Sequence, residues 1–259
     1  GLIRRWKDRP FFLYVAYTIP HAEVTVPADS LAEYRGKWEE KPYTGRHYCS
    51  QAEPRAARAG MITRMDRDVG RILDLLGQLG LDRKTVVMFT SDNGPCGAGG
   101  QDYRFFASAG GLRGIKRTLY EGGIRVPMIA RWPGRIAPGG ATDLPSAFWD
   151  VLPTCAELAG VEPRTQTDGL SFVPTLLGRP DDQQRHEYLY WEHKGWQAVR
   201  MGRWKAVRPA PGKPTELYDL RADRSESKDV AGEHAEIVRR AEELFRTART
   251  PSKRWPLRK

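Results

Sequence analysis

Long apolar runs are absent from this chain of 259 residues. No segment approaches the roughly 20 consecutive apolar residues that a membrane-spanning helix requires, so the sequence predicts no membrane span. Patterns typical of helix-turn-helix, RNP-like and zinc-finger domains are absent as well, and we expect no nucleic-acid partner. Hydrophobic residues form 40% of the chain and charged residues 29%, as in ordinary globular proteins.

Cysteine is scarce, with only Cys49, Cys96 and Cys155 in the sequence. The three residues are far apart and show no spacing typical of paired metal ligands. An odd number in a chain of this length also argues against a disulfide framework. The cysteines therefore predict neither a disulfide scaffold nor a zinc site, and they do not indicate a cellular compartment.

Acidic residues are outnumbered: 32 Asp and Glu stand against 42 Lys and Arg, a formal net charge of +10. The basic residues are scattered along the chain, which is typical of a solvated, arginine-rich surface. The alternative is an electrostatic field that attracts anionic substrates. Composition leaves both interpretations open.

The first half of the sequence has the pattern of an α/β domain. Residues 10–17 predict a strand buried on both faces, and residues 85–90 predict a second buried strand. Between them, residues 54–79 predict a long amphipathic helix that ends before Gly80. Its apolar positions, spaced by three and four, are Ala59, Ile62, Met65, Val69, Ile72, Leu76 and Leu79. Strand, helix and strand in this order suggest a parallel sheet.

The last third of the sequence contains short runs rich in aromatic and β-branched residues. Three of them predict an antiparallel sheet: residues 187–191, 196–200 and 204–207. Gly202 marks the turn between the last two runs. A helix is predicted over residues 233–249.

A further helix is predicted over residues 148–159, with Gly160 as its stop signal. Because the pattern changes after this region, we expect two domains. The first is an α/β domain over residues 1–180, and the second is an antiparallel subdomain over residues 181–259.

Polar residues follow both predicted strands of the first domain. Asp92 and Asn93 come after the second strand, and His21 follows the first. Asp-Asn-Gly is common in turns, and a histidine in a loop is often structural. However, open parallel sheets bind ligands beyond the carboxyl ends of their strands. There, Asp92 and Asn93 would offer oxygen ligands suited to Ca²⁺ or Mg²⁺, although Ca²⁺ takes 6 to 8 oxygens and most would come from elsewhere.

Glycine is concentrated in residues 110–127, which surround Lys116. Dense glycine lets the backbone approach a ligand or another segment closely. The Lys116 ammonium could then face an oxyanion whose charge grows in a transition state. The alternative interpretation is an exposed basic loop.

Together, FTSDNGP at residues 89–95 and GGLRGIKRTLYEGGIRVP at residues 110–127 resemble the two downstream signature blocks of the type I sulfatases, in the alkaline-phosphatase superfamily. The resemblance covers nearly the whole chain, including RPFFLYVAYTIPHAEVTVP, WDVLPTCAELAGVEP, DGLSFVPTLLG, QAVRMGRWKAVR and ELYDLRAD. It implies an α/β fold with an alkaline-phosphatase-like mixed or parallel sheet, incomplete here, and flanking helices. A small C-terminal antiparallel sheet with a terminal helix would follow.

The resemblance also implies a role for individual residues. Asp92 and Asn93 match the residues that complete the family's divalent-metal site, usually Ca²⁺ with Mg²⁺ as the second choice. Lys116 matches the lysine that contacts the sulfate and the leaving-group oxygen, and His21 matches the histidine on the other side of the sulfate. Either cation could protonate the leaving alkoxide. His193 falls where some members place a substrate contact.

The sequence departs from the family at the nucleophile, a formylglycine made from the cysteine or serine of a C-x-P-x-R motif. None of the three cysteines fits that motif, and the family's paired aspartates and its lysine and histidine pair are also missing. We expect these groups upstream of Gly1, so that this chain holds one wall of the site. Arg113 and Glu121 are interpreted as residues that order the loop.

The resemblance therefore predicts a sulfatase, a sulfuric-ester hydrolase that acts on a sulfated small molecule or glycan. This chain alone is expected to be inactive and to bind metal weakly. Two alternatives stay open: a phosphodiesterase or phosphonate hydrolase of the same superfamily, and a non-catalytic protein that binds sulfated glycans. Similar sulfatases are often exported, which suggests a periplasmic or secreted location; no oligomeric state is indicated. An incomplete sheet should also leave an apolar face or an unpaired strand edge uncovered.

Overall fold

The structure, a computed structural model, describes residues 1–45 and 47–257. The chain forms two compact units. The first unit contains Gly1–Val86 and Pro95–Ser108, and the second contains Val87–Gly94 and Ala109–Lys259. The proposed domain boundary near residue 180 stays a prediction.

The first unit is helical. Its helices are α1 (Leu2–Trp6), α2 (Ala28–Ala32) and α3 (Pro54–Gln78), with short 3₁₀ turns at Asp82–Lys84 and Ala98–Gly100. The long helix predicted over residues 54–79 is thus confirmed.

Two features of the sequence set the ends of α3. Pro54 occupies the first turn, where its missing N–H costs nothing. The Glu40 carboxylate accepts the backbone N–H groups of Arg55 and Ala56 at 2.9 and 2.8 Å, which satisfies two donors that have no partner inside the helix. At the other end, Gly80 has a φ of 66°, the left-handed conformation that commonly stops a helix.

The buried face of α3 differs from the predicted one. Ala57 and Met61 pack with Val24, whereas Ile62 is 40% exposed. Each helical residue is rotated by about 100° from the last, so the buried face is turned away from the predicted stripe. Leu76, at the far end of that stripe, is buried as expected.

Residues 10–17 do not form the predicted buried strand, and that prediction was wrong. The run has no strand partner in the part of the chain that the structure describes. Phe12 is 76% exposed and Tyr14 is 79% exposed. A strand exists only where a neighbour satisfies its backbone groups, so an apolar run without one stays irregular. Its apolar side chains are exposed outside any sheet, and the uncovered sheet face stays a prediction.

The second unit begins with a two-stranded sheet. Strands β1 (Val87–Thr90) and β2 (Met128–Arg131) pair antiparallel, with Thr90 opposite Met128. The short helix α4 (Glu121–Ile124) precedes β2. The predicted strand at residues 85–90 therefore exists over Val87–Thr90, but it is half-exposed and its partner β2 runs antiparallel.

The middle of the second unit contains α5 (Val151–Ala159) and α6 (Val173–Leu176). A 3₁₀ turn at Phe148–Asp150 leads into α5, and Gly160 ends it with a φ of 66°. The helix predicted over residues 148–159 is confirmed.

The C-terminal sheet confirms the predicted antiparallel strands and adds a fourth. Its order is β3 (Leu189–His193), β4 (Trp196–Met201), β5 (Trp204–Arg208) and β6 (Glu216–Asp219), all antiparallel. Met201 pairs with Trp204 across the turn that contains Gly202, whose φ is 55°. Helix α7 (Ala235–Thr247) follows the sheet as predicted.

Both faces of this sheet are covered within the second unit. On one face Val199, Ala206 and Leu217 pack against Leu244 and Phe245 of α7. The other face packs against two residues of the glycine-rich segment, in a cluster that contains Ala198, Val207, Tyr218, Leu119 and Tyr120. The sheet thereby supports the segment that carries Lys116. No helix in the described ranges is long and apolar enough to span a bilayer.

Exposed and buried apolar residues of the first unit should differ sharply in their contribution to the free energy of unfolding. We expect Phe12→Asp to change the free energy of unfolding by no more than about 0.5 kcal/mol, because the side chain is exposed. Met61→Ala, the buried control, should cost about 2–5 kcal/mol through lost contacts and a cavity. Urea unfolding followed by circular dichroism measures both. A loss above about 2 kcal/mol for Phe12→Asp would contradict the assignment of residues 10–17 as uncovered.

Candidate active site

The turn after β1 presents two oxygen-bearing side chains. Asp92 is exposed and Asn93 is half-buried, and neither side chain has a hydrogen bond or ion pair within the described residues. The Ser91 hydroxyl donates to the Asn93 carbonyl at 3.0 Å, and the Gly94 N–H donates to the Gly123 carbonyl at 3.0 Å. The turn is thus fixed through its backbone while its carboxylate and amide stay available.

These two residues fit part of a site for a hard cation. The carboxylate of Asp92 and the amide oxygen of Asn93 are ligands that Ca²⁺ and Mg²⁺ prefer. Among the residues that the structure describes, no group of three or more His, Cys, Asp or Glu side chains could hold a metal ion. Because Ca²⁺ takes about 6 to 8 oxygens, this chain would supply a minority of the ligands.

The segment around Lys116 is a closed loop. The Gly122 N–H donates to the Arg113 carbonyl at 2.7 Å, which joins the two ends of the loop. Inside the loop, the Thr118 hydroxyl makes two hydrogen bonds to the Ile115 backbone. It donates to the Ile115 carbonyl at 2.8 Å and accepts from the Ile115 N–H. Lys116 lies within the loop, half-buried, and has no hydrogen-bond or ion-pair partner among the described residues. Its ammonium is free to compensate an anion.

The loop and the turn meet at their glycines. A side-chain carbon on Gly94 would overlap the carbonyl oxygen of Gly122, and one on Gly123 would overlap that of Thr118. Only residues without a side chain allow this approach. The structure therefore brings the Asp92–Asn93 turn and the Lys116 loop to one junction.

His21 lies in the first unit and is exposed. Its Nδ1 lies within hydrogen-bonding distance of the Ala22 carbonyl, which can only accept, so Nδ1 carries a proton in this contact. The Nε2 atom is then left for a substrate. Because the other candidates lie in the second unit, the convergence of His21 with Asp92, Asn93 and Lys116 stays a prediction.

The turn that carries His21 is held by residues that the sequence analysis missed. The Gln101 amide donates to the Pro20 carbonyl, and the Gln101 carbonyl oxygen accepts from the buried Arg58 guanidinium. A side-chain carbon on Gly99 would lie 2.7 Å from the Ala22 methyl group, which again requires glycine. Burial lowers the pKa of Arg58. A glutamine in a loop carries no sequence signal for such a role, because its partners are distant in sequence.

Arg113 and Glu121 bind the C-terminal sheet, in agreement with their interpretation as loop-ordering residues. Arg113 donates to the Tyr218 hydroxyl at 2.7 Å and stacks over the Tyr120 ring at 3.8 Å. The buried Glu121 carboxylate accepts from the Lys205 ammonium at 2.9 Å. His193 ends β3 opposite Trp196, and its substrate contact stays a prediction.

A family model described as Sulfatase matches residues 2–161, more than half of the chain. The chain belongs to the sulfatase family. A second model, described as N-sulphoglucosamine sulphohydrolase, C-terminal, matches residues 114–249 of this sulfatase chain. The resemblance based on the signature blocks is therefore confirmed, and the two matches overlap in the Lys116 loop.

Known sulfatases are similar to this chain over nearly its whole length. Human arylsulfatase A is 32% identical over 272 residues, which cover 92% of this chain and 48% of the relative. An N-acetylgalactosamine-6-O-sulfatase of Bacteroides thetaiotaomicron is 30% identical, with coverage of 94% and 48%. The chain thus spans about half the length of the curated relatives it matches.

Solved structures agree with the family. The crystal structure of Ps i-CgsB matches with a TM-score of 0.75 and 26% identity, covering 93% of this chain and 50% of that one. A structure from work on the metabolism of multiple glycosaminoglycans by Bacteroides thetaiotaomicron matches with a TM-score of 0.74 and 29% identity, covering 95% and 52%. The predicted alkaline-phosphatase-like α/β fold, with a small antiparallel sheet and a terminal helix, is confirmed.

Metal affinity tests the partial ligand set. We expect this chain to bind Ca²⁺ with a dissociation constant of about 10⁻³ M or weaker, because two side chains supply few of the oxygens required. Asp92→Ala should abolish this binding, whereas Asp66→Ala, on the exposed face of α3, should leave it unchanged. Isothermal titration calorimetry measures all three proteins. Micromolar binding that survives Asp92→Ala would place the metal elsewhere.

Proposed function

We propose that this chain is the part of a sulfuric-ester hydrolase that carries charge-compensating groups and some of the metal ligands. The observation that carries the proposal is the shared junction of the Lys116 loop and the Asp92–Asn93 turn. The loop that carries the unpaired Lys116 ammonium and the turn that carries the two free oxygen ligands are joined there by the backbone contact of Gly94 with Gly122 and Gly123, which supports a common site. This combination suits a sulfate monoester, which carries one negative charge, and its counter-cation.

Each residue has a distinct role in the proposed reaction. The Lys116 ammonium would bind the sulfate and stabilise negative charge on the leaving-group oxygen. In its doubly protonated form His21 would donate from Nε2 to the opposite side of the sulfate, and either cation could donate a proton to the departing alkoxide. Asp92 and Asn93 would hold the divalent cation, Ca²⁺ with Mg²⁺ as the second choice, which would neutralise sulfate charge. A formylglycine, from a segment upstream of this chain, would supply the nucleophile.

A sulfated glycan is the substrate class that we favour over a sulfated small molecule. The support comes from relatives: one is named an N-acetylgalactosamine-6-O-sulfatase, and one solved structure holds k-i-k-neocarrahexaose. We retain His193 as a candidate substrate contact. We also propose a periplasmic or secreted location, which fractionation of the source cells would test.

The proposed activity is tested by the gene and by hydrolysis together. The coding sequence upstream of Gly1 should contain a C-x-P-x-R or S-x-P-x-R motif. The product of the complete reading frame should hydrolyse 4-nitrophenyl sulfate, and this chain alone should not. Lys116→Ala in that product should lower kcat/KM on the order of 10²- to 10³-fold, because a preorganised cation is lost from the transition state. Lys228→Ala, an exposed control, should change little.

Three outcomes would contradict the proposal. Robust hydrolysis by this chain alone would show that the missing groups are not needed. Faster turnover of phosphate diesters or phosphonates than of sulfate esters would favour the other hydrolases of the superfamily. Binding of sulfated glycans without a nucleophile motif in the gene would favour a non-catalytic binding protein.

A further inference from the structure

A lysine of the C-terminal sheet is fully buried between two carboxylates. The Lys205 ammonium on β5 lies 2.9 Å from Glu121 Oε1 and 3.0 Å from Glu226 Oε1, and the side chains of Lys205 and Glu226 are 0% exposed. Removing three charges from water costs much free energy, and an apolar group of similar volume often serves stability as well or better. Stability of the sheet alone therefore does not explain this cluster.

The cluster is attached to the start of α4. Glu121 is the first residue of that helix, and its backbone N–H donates to Glu226 Oε2 at 2.6 Å. Glu226 thus binds the sheet lysine with one oxygen and the backbone of the glycine-rich segment with the other. Burial raises the pKa of Glu226, although Lys205 opposes that shift. For Glu121 burial acts in the same direction, but the nearby cations Lys205, Arg200 and Arg125 together outweigh it and the pKa is lowered.

Arg113 fastens the other end of the Lys116 loop to the same surface. Its guanidinium donates to the Tyr218 hydroxyl at 2.7 Å, to the Glu226 carbonyl at 3.1 Å and to the Tyr120 hydroxyl at 3.1 Å. Both ends of the loop, at Arg113 and Glu121, are therefore bound to the sheet and to the turn at Glu226. Lys116 lies between these two attachments.

The start of α4, which the Lys205 cluster holds, also contacts the turn that carries Asp92 and Asn93. Gly122 and Gly123 directly follow Glu121, and they make the close backbone contact with Gly94. Fixing the start of α4 consequently fixes the strand end that carries Asp92 and Asn93. The buried lysine supports both halves of the candidate site without contacting a substrate.

We propose that Lys205 is a positioning residue for the sulfate- and metal-binding groups, acting through Glu226 and Glu121 on the Lys116 loop and on the turn at Gly94. The proposal rests on the function proposed above for Lys116. It assigns the C-terminal antiparallel sheet a part in the active site, as the rigid support against which the catalytic cation is held.

Hydrogen exchange of single backbone amides, measured by NMR on this chain, tests the proposal. Lys205→Met leaves two buried carboxylates without their cation, so the amides of residues 113–124 and of Gly94 should exchange at least about tenfold faster. Amides of β4 should change less than about twofold, because the sheet and α7 keep their apolar contacts. Lys228→Met, which removes an exposed lysine 3.1 Å from Glu233, is the matched control and should change neither group.

A second substitution separates positioning from general loss of packing. Glu226→Gln removes one buried charge and keeps an oxygen that accepts the Glu121 N–H. In the Lys205→Met background it should slow the exchange of residues 113–124 again, because the remaining carboxylate of Glu121 is still paired with Arg125 at 3.3 Å. Alone, Glu226→Gln should give exchange between that of the unchanged chain and Lys205→Met.

The exchange rates of the loop, of β4 and of the double variant together test the positioning role of Lys205. Equal acceleration in β4 and in the loop, no acceleration in the loop, or no rescue by Glu226→Gln would overturn the positioning role. If Lys205→Met does not fold, unchanged exchange in Glu226→Gln alone would overturn it. Because the measurement requires no turnover, it can fail while sulfate-ester hydrolysis stands, and an inactive complete protein would leave its result intact.

Discussion

The close approach of two backbones, at Gly94 and Gly122, is the constraint on which the candidate site depends. No side chain fits at either contact, so the end of β1 and the start of α4 are held at one fixed separation. Asp92 and Asn93 belong to one of these segments, and Lys116 belongs to the loop that closes on the other. The charge cluster at Lys205 then attaches that pair of segments to a sheet with both faces covered.

Local signals explain the parts of the fold that the sequence predicted. Pro54 and Gly80 at the ends of α3, Gly160 after α5 and the short turn at Gly202 act within a few residues, so they keep their meaning in any tertiary context. Residues 10–17 depend on a partner strand that is distant in sequence. Their composition predicted a buried strand, and the lack of a pairing segment within the described residues left them irregular and exposed.

The residues of the candidate site also fall into two groups, those predicted from local sequence patterns and those found only in the tertiary fold. Asp92, Asn93 and Lys116 were identified because glycine and polar residues interrupt apolar runs, and because those segments resemble signature blocks of one family. Lys205 and Glu226 gave no comparable signal. A lysine in a short amphipathic strand normally points to solvent, and only the tertiary fold shows that two carboxylates surround this one.

The contrast between paired, buried charges and unpaired charges supports a role for this chain in charge compensation. In the second unit, Lys205, Glu121 and Glu226 are paired and buried, whereas the Lys116 ammonium and the Asp92 carboxylate have no partners among the described residues. An unpaired charge is retained at a fixed position only where the surrounding contacts determine the backbone independently of it. The junction of Gly94, Gly122 and Glu121 supplies those contacts. A preorganised charge of this kind needs no reorganisation when a sulfate binds, which is the physical basis for assigning charge compensation to this chain.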